Sequence, residues 1–216
     1  MGDSTRNRLH TDERRAQLLE LGVKLFSTWS YEEVSIDDIA REAGVSKGLL
    51  YHYFGGKRDF YVACVRVSAE HLMEVITPPD DLEPEERARV CLEAYLDFVE
   101  QRADAYAALM HGGLGADREI LKLIRETRNH IVERMVEGMA AQDPSPVLRL
   151  VARSWIGSVE ATSLDWLARG EPQRAVLVHY LLGTLYTSLL VAQQIDPSLE
   201  MPADSAKAAK LFQLRG

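Results

Sequence analysis

Residues Ser35–Lys57 read S-I-D-D-I-A-R-E-A-G-V-S-K-G-L-L-Y-H-Y-F-G-G-K, and this stretch decides the fold. Ser35 is placed to cap a helix, because its hydroxyl can accept from an orphan backbone N–H one turn in. Asp37 and Asp38 follow in the first turn, where the positive end of the helix dipole favours carboxylates. Ile36, Ile39 and Ala40 repeat at helical spacing and give one apolar face. Gly44 ends the helix, since glycine takes a left-handed conformation without steric cost. Val45 is an apolar plug, and Ser46 caps a second helix that runs to about Phe54. Leu50 and Phe54 lie four apart and share a core face. Two short helices joined by a tight glycine turn are a helix-turn-helix.

The second helix offers solvent an unusual set. Ser46, Lys47 and Gly48 open it, and Tyr51, His52 and Tyr53 occupy three consecutive positions that fan around the axis, so not all can be core. In such motifs the start of the second helix enters the major groove of DNA. Hydroxyls, lysines and backbone N–H groups on its flanks hold phosphates and set register. Gly48, lacking a side chain, lets the backbone approach a base or sugar closely. The competing reading is a helical hairpin with surface aromatics.

Working outward, R-R-A-Q-L-L-E-L-G-V-K-L-F from Arg14, Y-E-E-V from Tyr31 into the stretch above, and G-K-R-D-F-Y-V-A-C-V from Gly56 complete a pattern that resembles the DNA-binding domain of the TetR family of bacterial transcriptional regulators. By that resemblance Ser35 and Ser46 cap helices two and three. Lys47, Gly48, Tyr51, His52 and Tyr53 fall on recognition-helix positions, and Lys57 stands at the phosphate-binding start of helix four. Ser30 occupies a turn where the family usually has glycine. A left-handed Ser30 costs about 1 kcal/mol, unless the turn is built differently here. Leu49 stands where Thr or Ser is usual, and Gly55-Gly56 replaces a polar pair. The resemblance implies three segments: a flexible basic arm over 1–10, a helix-turn-helix domain over 11–56, and a helical ligand-binding and dimerisation domain over 57–216.

Charge fits a local DNA patch. The chain carries a net −8. Residues 1–66 hold 10 Lys/Arg and 10 Asp/Glu, while residues 67–216 hold 15 and 23. The excess of negative charge therefore lies outside the helix-turn-helix, and weak non-specific DNA affinity at physiological salt is expected. Arg6, Arg8, Arg14 and Arg15 form a basic N-terminal run that either reaches a groove or simply solubilises a tail. The N-terminus shows no apolar core of a secretory signal, and Cys64 and Cys91 have no metal-ligand spacing. The expectation is a cytoplasmic protein with buried thiols and no cofactor or metal. Ala175–Ala192 lacks Asp, Glu, Lys and Arg, but its His, Tyr, Thr and Ser residues suit a buried or interface helix better than a membrane span.

The remainder reads as helices without strand alternation: about Lys57–Ile76, Pro84–Gln101, a short piece to Met110, Asp117–Ala140, Pro146–Ala168 and a last helix opened by Pro172. The H-G-G-L-G run and Pro144 mark breaks. The fold class is all-α, a three-helix DNA-binding domain plus a larger regulatory domain, about nine to ten helices in all. Trp155, Val159, Thr162 and Trp166 form a stripe on the penultimate long helix. With the apolar last helix (Leu182, Leu185, Leu189), they either build a homodimer interface or fill a monomer core. A two-fold dimer would present two recognition helices to a palindromic double-stranded operator. Tyr95, Phe98, Tyr106, Met110, Met135, Met139 and Trp155 are candidates to line a pocket for a mostly apolar small-molecule effector, with Arg102, Arg125 or His111 at a polar end. Residues of this kind at helical spacing are core more often than pocket lining.

No phosphate loop, G-x-S-x-G elbow or H-E-x-x-H pair occurs, so an enzyme is not expected. The reading that follows is a ligand-responsive repressor acting as a homodimer. Alternatives are a DNA-binding activator or scaffold without a ligand, and a helical small-molecule carrier.

Overall fold

The computed structural model describes residues 3–79, 81–111, 117–139 and 145–199, with side chains from Asp12 onward except that of His111. Among them are nine helices and no strand: α1 (Asp3–Thr28), α2 (Ile36–Glu42), α3 (Lys47–Phe54), α4 (Lys57–Val75), α5 (Pro84–Glu100), α6 (Ala103–His111), α7 (Arg118–Glu137), α8 (Pro146–Arg169) and α9 (Arg174–Ile195). The expected boundaries hold to within a few residues. α1 starts at Asp3, so its backbone is helical where the sequence suggests a flexible arm over 1–10. The side chains of Arg6, Arg8 and His111, the H-G-G-L-G run after its first residue, and Pro144 lie outside the described residues.

The chain packs as two compact units. One comprises the chain through His71 together with Gln101–Ile124; the other comprises Leu72–Glu100 and the chain from Arg125 onward. Packing thus groups most of α4, through His71, all of α6 and the start of α7 with the helix-turn-helix, whereas the sequence reading divides the chain at residue 57.

The first unit is built on an aromatic core. Leu18, Phe26, Ile39, Leu50, Phe54 and Phe60 are buried together. Phe60 meets Phe54 edge-on at 4.8 Å, and Phe26 meets Tyr61 edge-on at 4.8 Å. Such pairs add about 0.5–1.5 kcal/mol beyond area burial. Gly22 makes the α1–α4 approach possible: a Cβ there would lie 2.4 Å from Phe60 Cζ and 2.5 Å from Cys64 Sγ. Burial pushes the Cys64 thiol up to about 12, which keeps it protonated and unreactive. The second edge of this unit is tied by Arg58, whose guanidinium grips Asp117 in two bonds of 2.7 and 2.8 Å. Val62, Ile120 and Leu123 form a small buried cluster between α4 and α7.

The second unit places α5, the later part of α7, α8 and α9 around Leu96, Val132, Ala152, Ile156, Leu181 and Leu185. The indole N–H of Trp155 donates to the Leu181 carbonyl at 2.7 Å, and that of Trp166 to the Pro172 carbonyl at 2.9 Å. Among the described residues α9 alone is long and apolar enough to cross a membrane. It sinks Leu177, Leu181, Leu185 and Leu189 into this core, while Val176, Tyr180, Val191 and Ile195 face outward.

The stripe expected at a dimer interface sits differently. Val159, Trp166, Leu182, Leu185 and Leu189 are all buried within the protomer's own core. Thr162 is half-buried and turns its hydroxyl onto the Ser158 carbonyl of its own helix at 2.7 Å. The reason is helical geometry: the apolar face of α8 meets that of α9, and each helix leaves its opposite face outside. On α8 the outer face carries Leu150, Ser154 and Ala161, and a Cβ added at Gly157 would meet open space.

Candidate nucleic-acid interface and cavity

Two serines set the geometry of the helix-turn-helix. Ser35 has extended backbone, and its Oγ accepts from the Asp38 N–H at 3.1 Å. The Asp38 carboxylate in turn accepts from the Ser35 N–H at 3.1 Å, so the two orphan donors satisfy each other in a capping box. The Ser35 hydroxyl also donates to the Asp38 carboxylate, and that bond first, then the one from the Ser35 N–H and one from Arg41, hold the Asp38 carboxyl below its usual range. Gly44 follows with φ +62°, the left-handed turn expected from the sequence. Ser46 then caps α3, its Oγ accepting from the Leu49 N–H at 3.2 Å. Gly55, at φ +77°, ends α3 and leads into α4.

Ser30 does not adopt the left-handed turn. No non-glycine among the described residues has a positive φ. Its N–H donates to the Glu33 carboxylate at 2.8 Å, so a side-chain bond closes the turn that glycine would otherwise make.

Capped this way, α3 exposes Lys47, Gly48, Tyr51 and His52, with Tyr51 about half accessible. Leu50 and Phe54 face the core. Tyr53 is half-buried and packs against that core, so of the three consecutive aromatic positions it is the one turned inward. A Cβ on Gly48 would meet nothing closer than Ser46 Oγ at 3.8 Å. Nothing inside the protein therefore demands glycine there, and the bare backbone faces outward.

Three neighbours of this surface were not foreseen. Asp37, on α2, forms an ion pair with Lys47. Lys57 Nζ sits 4.1 Å from the centre of the Tyr31 ring, a cation–π contact that holds the ammonium at the start of α4. Arg15, assigned by sequence to a basic run, lies over the Phe54 ring at 5.2 Å as part of α1. Only contacts between segments distant in sequence reveal such pairings.

The second unit holds a cavity of about 230 Å³. All its lining residues belong to that unit. Of the candidate residues, Met135, Met139 and Trp155 line it. Tyr95 packs into the core instead, Phe98 is half-buried on α5, and Tyr106 and Met110 belong to α6 in the other unit; none of the four reaches this cavity. Leu148, Leu185, Leu189, Met73 at the end of α4 and Ile76 just after it complete the apolar wall. Its cations are Arg87 and Arg134 rather than Arg102 or Arg125. Cys91 also lines it and donates to the Ile76 carbonyl at 3.2 Å. Composition cannot separate these residues from others of the same type, because pocket lining depends on which helix faces meet.

Comparison with known proteins agrees with this geometry. Residues 18–64 match the family described as bacterial regulatory proteins, tetR family, and residues 84–187 match a tetracyclin repressor-like C-terminal domain. A structure described as a tetR-family transcriptional regulator from Streptomyces coelicolor superposes with a TM-score of 0.80 at 30% identity, over 93% of this chain and 88% of that one. The HTH-type transcriptional regulator HbdR of Aromatoleum sp. is 35% identical over 60% of this chain and 59% of its own length. The HTH-type transcriptional activator FasR of Mycolicibacterium smegmatis is 30% identical over 57% of this chain and 58% of its own. The chain thus spans under three-fifths of the length of these two curated relatives.

Proposed function

This chain belongs to the TetR family of bacterial transcriptional regulators, and on that footing we propose that it is a cytoplasmic, ligand-responsive repressor that binds a palindromic operator as a homodimer. The observation that carries the reading is the outward face of α3: a capped helix start with Lys47, the unobstructed backbone of Gly48, and exposed Tyr51 and His52. Gly48, Tyr51 and His52 meet base edges in the major groove, while Ser35, Ser46, Lys47 and Lys57 hold phosphates and sugars on its flanks. Tyr53 supports the helix from the core side. Residues 11–56 serve as the DNA-binding segment, and 57–216 as the ligand-binding and dimerisation segment.

The homodimer uses the outer faces of α8 and α9. Leu150, Gly157 and Ala161 on one, with Val176, Tyr180 and Val191 on the other, leave an apolar and close-approach surface that the protomer itself does not cover. Val159, Trp166, Leu182, Leu185 and Leu189 act beneath it by fixing the two helices to each other.

A mostly apolar small molecule in the cavity of the second unit releases the operator. It touches Met73 and Ile76 at the end of α4, the helix that begins with Lys57. Coupling of this kind is typically worth about 1–3 kcal/mol. A second reading, activation, is favoured by one observation, the name of the relative FasR.

Selection of duplex DNA from a random pool by the purified chain tests the proposal. An enriched inverted repeat supports a two-fold DNA-binding dimer, and transcription from a promoter carrying that repeat separates repression from activation. No enrichment from folded protein at moderate salt overturns it in favour of a carrier role.

A further inference from the structure

Two lysines open helices in the first unit, and the protein treats them differently. Lys47, at the start of α3, is answered by the Asp37 carboxylate. Lys57, at the start of α4, has no carboxylate within ion-pair distance among the described residues, and its Nζ sits 4.1 Å from the centre of the Tyr31 ring. The next residue, Arg58, is committed to Asp117 in two bonds, and to Asp59 and Glu119 besides. Of two consecutive cations, therefore, one is matched by carboxylates and the other keeps its charge over an aromatic face.

Tyr31 is a braced ring. It stacks on Phe26 at 6.5 Å, with the ring planes 23° apart, and meets Tyr61 edge-on at 5.1 Å. Phe26 is buried in α1, and Tyr61 packs against the same core from α4. Burial, then the Glu32 carboxylate, push the phenol above its ordinary value, so the ring stays uncharged. Ring packing alone accounts for the place of Tyr31. It does not account for the ammonium over its face, because a half-buried lysine on a flexible four-carbon stem is otherwise free to reach water. A carboxylate would hold that ammonium too, but would cancel the charge that a phosphate reads. An aromatic face attracts a cation through its quadrupole and leaves all three N–H groups to donate elsewhere.

Resting on the reading of Lys57 as a phosphate contact, we propose that Tyr31 is the positioning residue of that contact: an uncharged seat that holds the ammonium ready for the DNA backbone without neutralising it. Part of the cost of ordering the lysine is then met when the chain folds, and less is left to be met when DNA arrives. Phosphate contacts carry no sequence information, so Tyr31 acts on affinity for duplex of any sequence and not on the choice of bases.

Binding of the full chain to a labelled mixed-sequence duplex, followed across a salt series, tests this. Lys57→Gln is expected to weaken binding and to reduce the salt slope by about one ion. Tyr31→Leu should weaken it about two- to fivefold, the scale of an exposed cation–π contact. Its salt slope should be unchanged, because the charge is still present but no longer placed. Tyr31→Phe, which keeps the ring, should bind as the parent does. In the Lys57→Gln background, Tyr31→Leu should cost nothing further. A merely structural Tyr31 would lower the melting temperature and weaken binding equally in both backgrounds; that result, or undiminished binding by Tyr31→Leu, overturns the positioning inference. If Tyr31→Leu fails to fold, phenylalanines of increasing ring fluorination at position 31 carry the comparison. They keep the shape of the ring while draining negative charge from its face, so affinity should fall along the series with Lys57 present and stay level in Lys57→Gln. A level series with Lys57 present overturns the inference. Unchanged affinity and salt slope in Lys57→Gln itself overturns the phosphate reading beneath it.

Discussion

The helix-turn-helix and the cavity of the second unit are held by different kinds of interaction. Around α2 and α3 the decisive bonds are local: Ser35 with Asp38, Ser46 with Leu49, Ser30 with Glu33, all three residues apart. Around the cavity they are remote: Arg134 reaches Met73, Trp155 reaches Leu181, Cys91 reaches Ile76. Local bonds make a surface whose members can be named from spacing. Remote ones make a space whose members depend on how five helices cross. The first unit is also built on interlocking rings, and the second holds a cavity.

The contrast can be broken most severely at Phe60. It is fully buried between Phe26, Phe54 and Gly22, and Phe60→Ala should cost about 3–5 kcal/mol, read by chemical denaturation with loss of operator binding. A milder pair sharpens it. Leu50→Phe, in the filled core, should cost about 1–3 kcal/mol for overpacking. Leu148→Phe, beside the cavity, should cost less than that, because the open space there can take the added ring.

Smaller still is the cap of α2. Ser35→Ala should cost about 1 kcal/mol, measured by denaturation at neutral pH. The pH dependence follows from the same bonds. Asp38 and Asp117 titrate below their ordinary range in the folded chain, held there by Ser35 and Arg58 respectively. A depressed carboxylate contributes stability that is present above its unfolded pKa of about 4 and lost as pH falls through its folded pKa. Melting temperature should therefore be steady above that point and decline below it. Ser35→Ala should make the decline shallower by removing the main cause of the Asp38 shift; an unchanged acid limb would contradict this.

The smallest effect on stability, and the most pointed on DNA, belongs to Asp37. Its exposed pair with Lys47 should matter little to folding, within about 0.5 kcal/mol. Asp37→Asn should nonetheless strengthen DNA binding across sequences and steepen its salt dependence by about one ion, because Lys47 no longer leaves a carboxylate to reach a phosphate. Salt titration of binding to operator and to unrelated duplex reads both.

The two regions were also unequally legible. Ser35, Gly44, Ser46 and the core pair Leu50 and Phe54 are all where the spacing puts them, since caps, glycine turns and i,i+4 faces act within one helical turn. Helix ends at the prolines and near Gly170 were legible for the same reason. Of the seven candidate pocket residues, Met135, Met139 and Trp155 reach the cavity and the other four do not. The α8 stripe is one apolar face, as the spacing implies, and within the protomer it packs against α9. Periodicity says that a face is apolar, not what covers it.

By itself, then, the sequence determined an all-α chain with a capped helix-turn-helix, because those features follow from backbone bonding and charge within a few residues. Only the tertiary structure decided that α6 and the start of α7 pack with the DNA-binding unit, that Met73, Cys91, Met135 and Trp155 line one cavity, and that Lys47 and Lys57 are attended by Asp37 and Tyr31. Those outcomes are set by the crossing of helices far apart in the chain, and side-chain packing between such helices is not encoded in any single window of residues.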